Sequence, residues 1–95
     1  MISRLAFHDK SAYPDGSIIE MSIWELSSSV SGSKHTLKYS LFYGFPRKRI
    51  IGYDNERGKG DHKHIDEHEE SYLFMSVDQL MADFLSDVAK ARGKV

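Results

Sequence analysis

The chain has no cysteine and only two prolines among its 95 residues. Without cysteine it can form neither a disulfide nor a thiolate metal site, and it has no cysteine nucleophile. No apolar run approaches the roughly 18 residues of a membrane span, and the N-terminal residues lack the apolar stretch of a signal peptide. We therefore expect a cytoplasmic protein with no contact to a membrane.

An excess of charge of one sign is also missing, because the formal net charge is −1. Domains whose whole surface binds nucleic acid typically have a pI above about 9, so any contact with RNA has to be local. Hydrophobic residues make up 40% of the chain, which is enough for a modest core. A chain of 95 residues leaves room for one domain, so residues 1–95 are expected to fold together.

Alternating apolar and polar residues predict several strands before the C-terminal quarter of the chain. The sequence Tyr13-Pro14-Asp15-Gly16 is a turn signal that predicts a hairpin between the first two strands. The serine-rich stretch 27–33 is interpreted as a longer hairpin loop. The predicted strands lie within residues 1–13, 17–26, 35–45, 48–54 and 70–75.

The C-terminal residues predict one helix, over 77–92. Ser76 is a good N-cap, and Gln79 completes a capping box. Apolar residues then recur at helical spacing: Val77, Leu80, Met81, Phe84, Leu85 and Val88. The sequence therefore predicts an α+β fold, in which an antiparallel sheet of four to five strands is packed by one C-terminal helix.

A charged segment between these elements is the strongest candidate for a functional site. Thirteen of the eighteen residues from 53 to 70 are Asp, Glu, Lys, Arg or His. Gly58 and Gly60 permit tight turns and a close approach of the backbone to a ligand. His62 and His64 lie two residues apart, so on an extended backbone their side chains face the same side.

These residue types suit the cleavage of a phosphodiester without a metal. Histidine titrates near neutral pH and can act as an acid or a base, while Arg and Lys stabilise charge on a phosphate. We interpret His62 and His64 as acid/base candidates. Arg57 and Lys59 are interpreted as phosphate-binding residues, and Asp61 or Asp54 as a residue that orients a histidine. His35 and Lys38 are further candidates from a neighbouring strand.

Two other interpretations of the segment stay open. His62 and His64 with nearby carboxylates could bind a metal, but no third ligand stands at a reliable spacing, so neither a metal nor a cofactor is predicted. Alternatively, the segment is a solvated loop in which Arg57 and Lys59 pair with the acidic run 66–70.

The basic turn 47–49 could join Arg57, Lys59 and Lys63 in one positive patch that binds phosphate.

The stretch from Tyr53 to His64 resembles the signature of the TumE family, toxins of bacterial toxin–antitoxin modules. The resemblance extends over roughly residues 15–88, and four further segments carry it: 15–24, 31–39, 69–74 and 79–84. It implies a small cytosolic toxin that a helix-turn-helix antitoxin binds and neutralises. The resemblance assigns no catalytic residues.

The sequence thus predicts a toxin that acts on RNA as a metal-independent ribonuclease. The alternatives are a non-enzymatic module that binds protein or RNA, and a toxin with transferase-type activity. The expected partners are the helix-turn-helix antitoxin and RNA, and a dimer is compatible with the sequence.

Overall fold

Six antiparallel strands follow one another across a single sheet in the order in which they occur in the chain. The structure is a computed structural model, and it describes residues 3–93. One helix follows the last strand. The elements are β1 (Ser3–Ala12), β2 (Ile18–Leu26), β3 (Leu37–Phe45), β4 (Lys48–Glu56), β5 (Gly60–Ile65), β6 (His68–Ser71) and α1 (Val77–Ala91).

The α+β class and the single C-terminal helix are confirmed, but the predicted strand count was too low. No strand was predicted over residues 55–69, yet this part of the charged segment forms β5 and the start of β6. Its residues are polar on both faces of the sheet, so the hydrophobic alternation that usually marks a strand is missing. The strand predicted over 70–75 ends at Ser71, and residues 72–76 have no regular secondary structure.

The core lies between the helix and one face of the sheet. Odd-numbered residues of β2, β3 and β4 point toward the helix because side chains alternate along a strand. Tyr53 meets the helix residue Phe84 edge-to-face, with ring centroids 5.8 Å apart. The buried apolar residues of this core are Ile19, Met21, Ile23, Tyr39, Leu41, Tyr43, Ile51, Tyr53, Leu80, Phe84 and Val88.

Both ends of the helix are held by polar contacts. The Ser76 hydroxyl accepts a hydrogen bond from the backbone N–H of Gln79 at 3.1 Å, which confirms the predicted N-cap. At the other end, the guanidinium of Arg92 lies 3.6 Å from the centre of the Tyr13 ring and donates to the Tyr43 hydroxyl. The helix is thereby tied to the turn between β1 and β2.

The sheet face opposite the helix, called here the open face, carries the even-numbered residues of the central strands. Trp24, Phe42, Asp54, His62 and His64 all lie on it, as the strand register shows. No helix among residues 3–93 is long and apolar enough to cross a membrane.

Candidate functional site

His62 and His64 project from β5 onto the open face, on the same side of the strand as their spacing predicts. Their ring centroids are 5.0 Å apart and the rings are nearly perpendicular. His62 is only 4% exposed. Its Nδ1 lies 3.1 Å from the carbonyl oxygen of Gly60, so that nitrogen carries the hydrogen and donates it.

Asp54 reaches both histidines from the neighbouring strand β4. It pairs with His62 across the β4–β5 ladder, and its Oδ1 lies 2.7 Å from the His62 Nε2 and 3.9 Å from the His64 Nε2. Asp54, His62 and His64 each present one ligand atom, and the three atoms lie within 4.8 Å of one another. The sheet thus brings Asp54, one of the two aspartates considered for orienting a histidine, beside both imidazoles.

Glu69 adds a second carboxylate from the edge strand β6, where it pairs directly with His64. Its Oε2 lies 3.4 Å from the His62 Nε2 and 3.6 Å from the His64 Nε2. We call Asp54, His62, His64 and Glu69 the His/carboxylate cluster. Partial burial acts to raise the pKa of Glu69, but the hydrogen bond and charge of Lys59 and the charges of the two histidines together lower it.

Two cations border this cluster. Lys59, in the β4–β5 turn, places its Nζ 3.4 Å from the Glu69 Oε2. The Arg49 side chain lies over Gly52, the residue paired with His64. It occupies the space that a side chain at Gly52 would need, since a Cβ there would come within 2.6 Å of the Arg49 Cδ. Burial, and then the charge of Arg49, lowers the pKa of His64, so its imidazole is neutral at pH 7.

Asn55 follows Asp54 in β4, is completely buried, and binds β4 to β3 through its side chain. Its side-chain N–H donates to the Leu37 carbonyl at 2.7 Å, and its Oδ1 accepts from the Tyr39 N–H at 3.0 Å. The backbone pairing of β3 with β4 ends at Ser40 and Asp54. Beyond that point the side-chain amide of Asn55 connects the two strands.

Asp61 lies on the opposite sheet face from the two histidines that it was predicted to orient. Its carboxylate accepts hydrogen bonds from the hydroxyls of Ser33 and Tyr39 and faces the His35 Nε2 at 2.7 Å. Burial acts to raise the pKa of Asp61, but the hydrogen bonds from these three side chains lower it. Asp61 and His35 thus lie outside the cluster and anchor the loop between β2 and β3.

The positive patch predicted from the basic residues is smaller than expected. Lys63 faces the helix, where its Nζ lies 3.6 Å from the Asp87 Oδ2. Arg57 and Lys38 instead line a cleft of about 500 Å³ beside Trp24 and Val30. Of the residues considered for the patch, Arg49 and Lys59 therefore remain beside the cluster.

Sequence reasoning did not single out Glu69, a member of the cluster, or Arg49, its neighbour, as site residues. A signal for Glu69 was available, because Asp66-Glu67 forms a two-residue turn that places Glu69 opposite His64. Asp66 has a φ of 54°, a left-handed conformation that suits hairpin turns and that Asp adopts more readily than most residues. Arg49 was recognised only as part of a basic turn.

The fold and site define a small α+β protein with a polar cluster on the uncovered face of a six-stranded antiparallel sheet. The family model described as Toxin TumE matches residues 3–92, nearly the whole chain. The chain belongs to the TumE toxin family. Membership implies that it is the toxin component of a toxin–antitoxin module and that an antitoxin is its partner. Comparisons with curated proteins and with solved structures gave no significant match.

Proposed function

We propose that this toxin binds RNA across the open face and cleaves the RNA backbone at the His/carboxylate cluster. The observation that carries the proposal is the convergence of two imidazoles and two carboxylates on the sheet face that the helix leaves free. Phosphodiester cleavage needs groups that move protons and cations that stabilise charge on the phosphate. Arg49 and Lys59 are cations suitably placed to hold a phosphate beside the cluster.

Aromatic residues on the same face support the binding of single-stranded RNA. Trp24 and Phe42 are half-buried there, and together they line a cleft of about 520 Å³. Ser40 lines the same cleft and pairs with Asp54 across β3 and β4, so the cleft adjoins the cluster. Unpaired bases stack on exposed aromatic rings, each contributing about 1–3 kcal/mol to binding.

The 2′-hydroxyl of RNA supplies a nucleophile within the substrate itself. Its oxygen attacks the neighbouring phosphorus and the bond from phosphorus to the 5′ oxygen breaks. One proton passes from the 2′-hydroxyl to the site, and one passes from the site to the leaving 5′ oxygen. The products are a 2′,3′-cyclic phosphate and a 5′-hydroxyl end, which distinguish this reaction from simple hydrolysis.

The mechanism predicted from the sequence, with His62 and His64 as a metal-free acid–base pair, stays a prediction. The burial of His62 argues against direct contact between its ring and a phosphate. His62 instead contacts the Gly60 carbonyl, Asp54 and Glu69. These contacts favour a mechanism in which the four residues of the cluster act together.

The test uses purified protein, end-labelled RNA and growth of the expressing cells. His64→Ala should abolish growth inhibition and RNA cleavage, because it removes a cluster residue. His68→Ala is the matched control, since His68 is the next histidine in the chain and is exposed on the edge strand. Arg49→Ala should weaken RNA binding, whereas Arg47→Ala, at the exposed turn, should not.

Three results would contradict the proposal. If wild-type protein binds RNA but leaves it intact, the toxin is a non-enzymatic binding module. If His64→Ala inhibits growth as strongly as wild type does, the cluster is not the site of action. A chemical group transferred onto RNA or protein would instead indicate the transferase alternative.

We also propose that the antitoxin silences the toxin by covering the open face. An acidic surface of the antitoxin would complement Arg49 and Lys59 there and would compete with RNA. The helix-turn-helix type of the antitoxin, predicted from the family resemblance, belongs to the same proposal. RNA binding should therefore fall as purified antitoxin is added, and binding of both at once would contradict a shared face.

A further inference from the structure

The orientation of His62 is typical of a metal ligand. Its Nδ1–H donates to the Gly60 carbonyl, because a carbonyl oxygen can only accept. The other nitrogen, Nε2, points toward Asp54 and lies 2.7 Å from its Oδ1. Histidines that bind metals almost always donate their second ring N–H in this way, often to a backbone carbonyl.

The Nε2 of His62 and the Oδ1 of Asp54 are both left without a hydrogen-bond partner among residues 3–93. The two atoms lie 2.7 Å apart, and both are buried. Buried polar atoms that lack a hydrogen-bond partner are costly. A cation bound to both atoms would give each of them a partner.

The distances within the cluster suit a single small cation. A four-coordinate site with bonds of about 2.0–2.2 Å separates its ligand atoms by roughly 3.4 Å. The Nε2 atoms of His62 and His64 lie 2.7–3.9 Å from the Asp54 and Glu69 oxygens. Small side-chain adjustments would therefore bring these atoms to bonding distance of one ion.

We propose that Asp54, His62 and His64 bind one divalent transition-metal cation of the Zn²⁺ type, with Glu69 beside its fourth position. Two imidazole donors favour zinc and related metals over Mg²⁺ or Ca²⁺, which prefer oxygen ligands. Glu69 is the most exposed of the four side chains, so the fourth position lies on the solvent side. The expectation that no metal binds rested on a missing third ligand, and the sheet supplies that ligand.

This inference deepens the proposed function, since it names what the cluster would hold during RNA binding. Without a cation, Asp54 and Glu69 repel the phosphate that Arg49 and Lys59 attract. A divalent ion changes the local charge by two and makes the cluster attractive to a phosphate oxygen. The binding of the ion is nevertheless independent of whether RNA is cleaved.

The experiment titrates Zn²⁺ into untagged, metal-stripped protein by calorimetry and measures the bound metal by elemental analysis. We expect one Zn²⁺ per chain. Asp54→Asn and His64→Ala should each weaken its affinity by more than about 100-fold, since even residues that only support a ligand typically contribute 10- to 100-fold. Circular dichroism on both variants checks that the fold is intact.

A matched control comes from another histidine–carboxylate pair on the open face. The His8 Nε2 lies 3.1 Å from the Glu20 Oε2, on exposed side chains of β1 and β2. His8→Ala should leave the zinc affinity unchanged. If His8→Ala and His64→Ala weaken the affinity equally, or if wild type binds no stoichiometric Zn²⁺, the proposed site is wrong.

Cleavage assays with and without EDTA separate this proposal from the proposed function. Stoichiometric zinc with no cleavage of RNA would support the metal site and contradict the ribonuclease. Cleavage that persists in EDTA, by protein that binds no zinc, would support the ribonuclease and contradict the metal site.

Discussion

The Asp61 Oδ2 lies 2.7 Å from the His35 Nε2, on the sheet face opposite the one that His62, the next residue in the chain, occupies. The backbone alternation of β5 separates the two neighbours: one faces the open side, and the other faces the loop between β2 and β3. The Asp61 side chain is only 9% exposed and also accepts from Ser33 and Tyr39. The charged segment therefore divides into a structural half and a half available for function.

Asp61→Asn should lower stability and leave the chemistry in place. The amide cannot accept from all three donors as the carboxylate does, and a buried donor without a partner costs about 1–3 kcal/mol. We expect a loss of about 2–4 kcal/mol in the free energy of unfolding, measured with urea. His64→Ala is the contrasting variant, and it should lose toxicity with a stability change within about 1 kcal/mol. The opposite pattern would place Asp61 in the functional site.

Gly60→Ala should be far more destabilising than Gly58→Ala. Both glycines have positive φ, 76° and 85°, so alanine is strained by about 1–2 kcal/mol at either. A Cβ at Gly60 would also lie 2.6 Å from the carbonyl oxygen of Gly32, whereas Gly58 has open space around it. Urea unfolding should show a loss of about 3 kcal/mol or more for Gly60→Ala and about 1–2 for Gly58→Ala. Equal losses would mean that the loop between β2 and β3, which contains Gly32, does not pack closely against Gly60.

Phe84→Ala should cost about 3–5 kcal/mol of stability, because the ring is fully buried against Tyr53 and its removal leaves a cavity. Leu85 is the next residue in the helix and is 44% exposed, so Leu85→Ala should cost less than about 1 kcal/mol. Thermal and urea unfolding of both variants compare the two helix faces. Similar losses would show that the helix packs differently.

Asp15 should make the fold less stable in acid. Hydrogen bonds from the Ser17 hydroxyl and N–H, and then the charge of Arg92, hold the pKa of Asp15 below its usual 3.8. Its ionised form therefore stabilises the fold above about pH 4, and this contribution is lost as pH falls through the lower folded-state pKa.

Melting temperatures at pH 7 and pH 3 test this expectation. Asp15→Asn should lower the melting temperature at pH 7 and narrow the difference between the two pH values. Asp9→Asn, on the exposed strand β1, is the control and should leave both values nearly unchanged. If the two variants behave alike, the contact of Asp15 with Ser17 and Arg92 does not stabilise the fold.

Local sequence patterns predicted the elements that have a clear apolar face. The alternation over 35–45 marks β3, and the helical stripe from Leu80 to Val88 marks α1, because each pattern records which side of one element avoids water. The same reasoning missed β5, since His62 and Lys63 are both polar and lie on opposite faces. Two apolar residues of the predicted stripe, Val77 and Leu85, are exposed, so the helix buries a narrower face than its sequence suggests.

The sequence by itself determined the α+β class, the C-terminal helix, the family and the shared face of His62 and His64. These properties depend on the chain's local periodicity or on contiguous motifs. Only the tertiary structure decided which carboxylates meet the histidines, because Asp54 and Glu69 arrive from two other strands through backbone pairing. It also turned Asp61 away from the site toward His35. A ladder of backbone hydrogen bonds fixes the register between strands, and one residue of displacement would exchange the two faces.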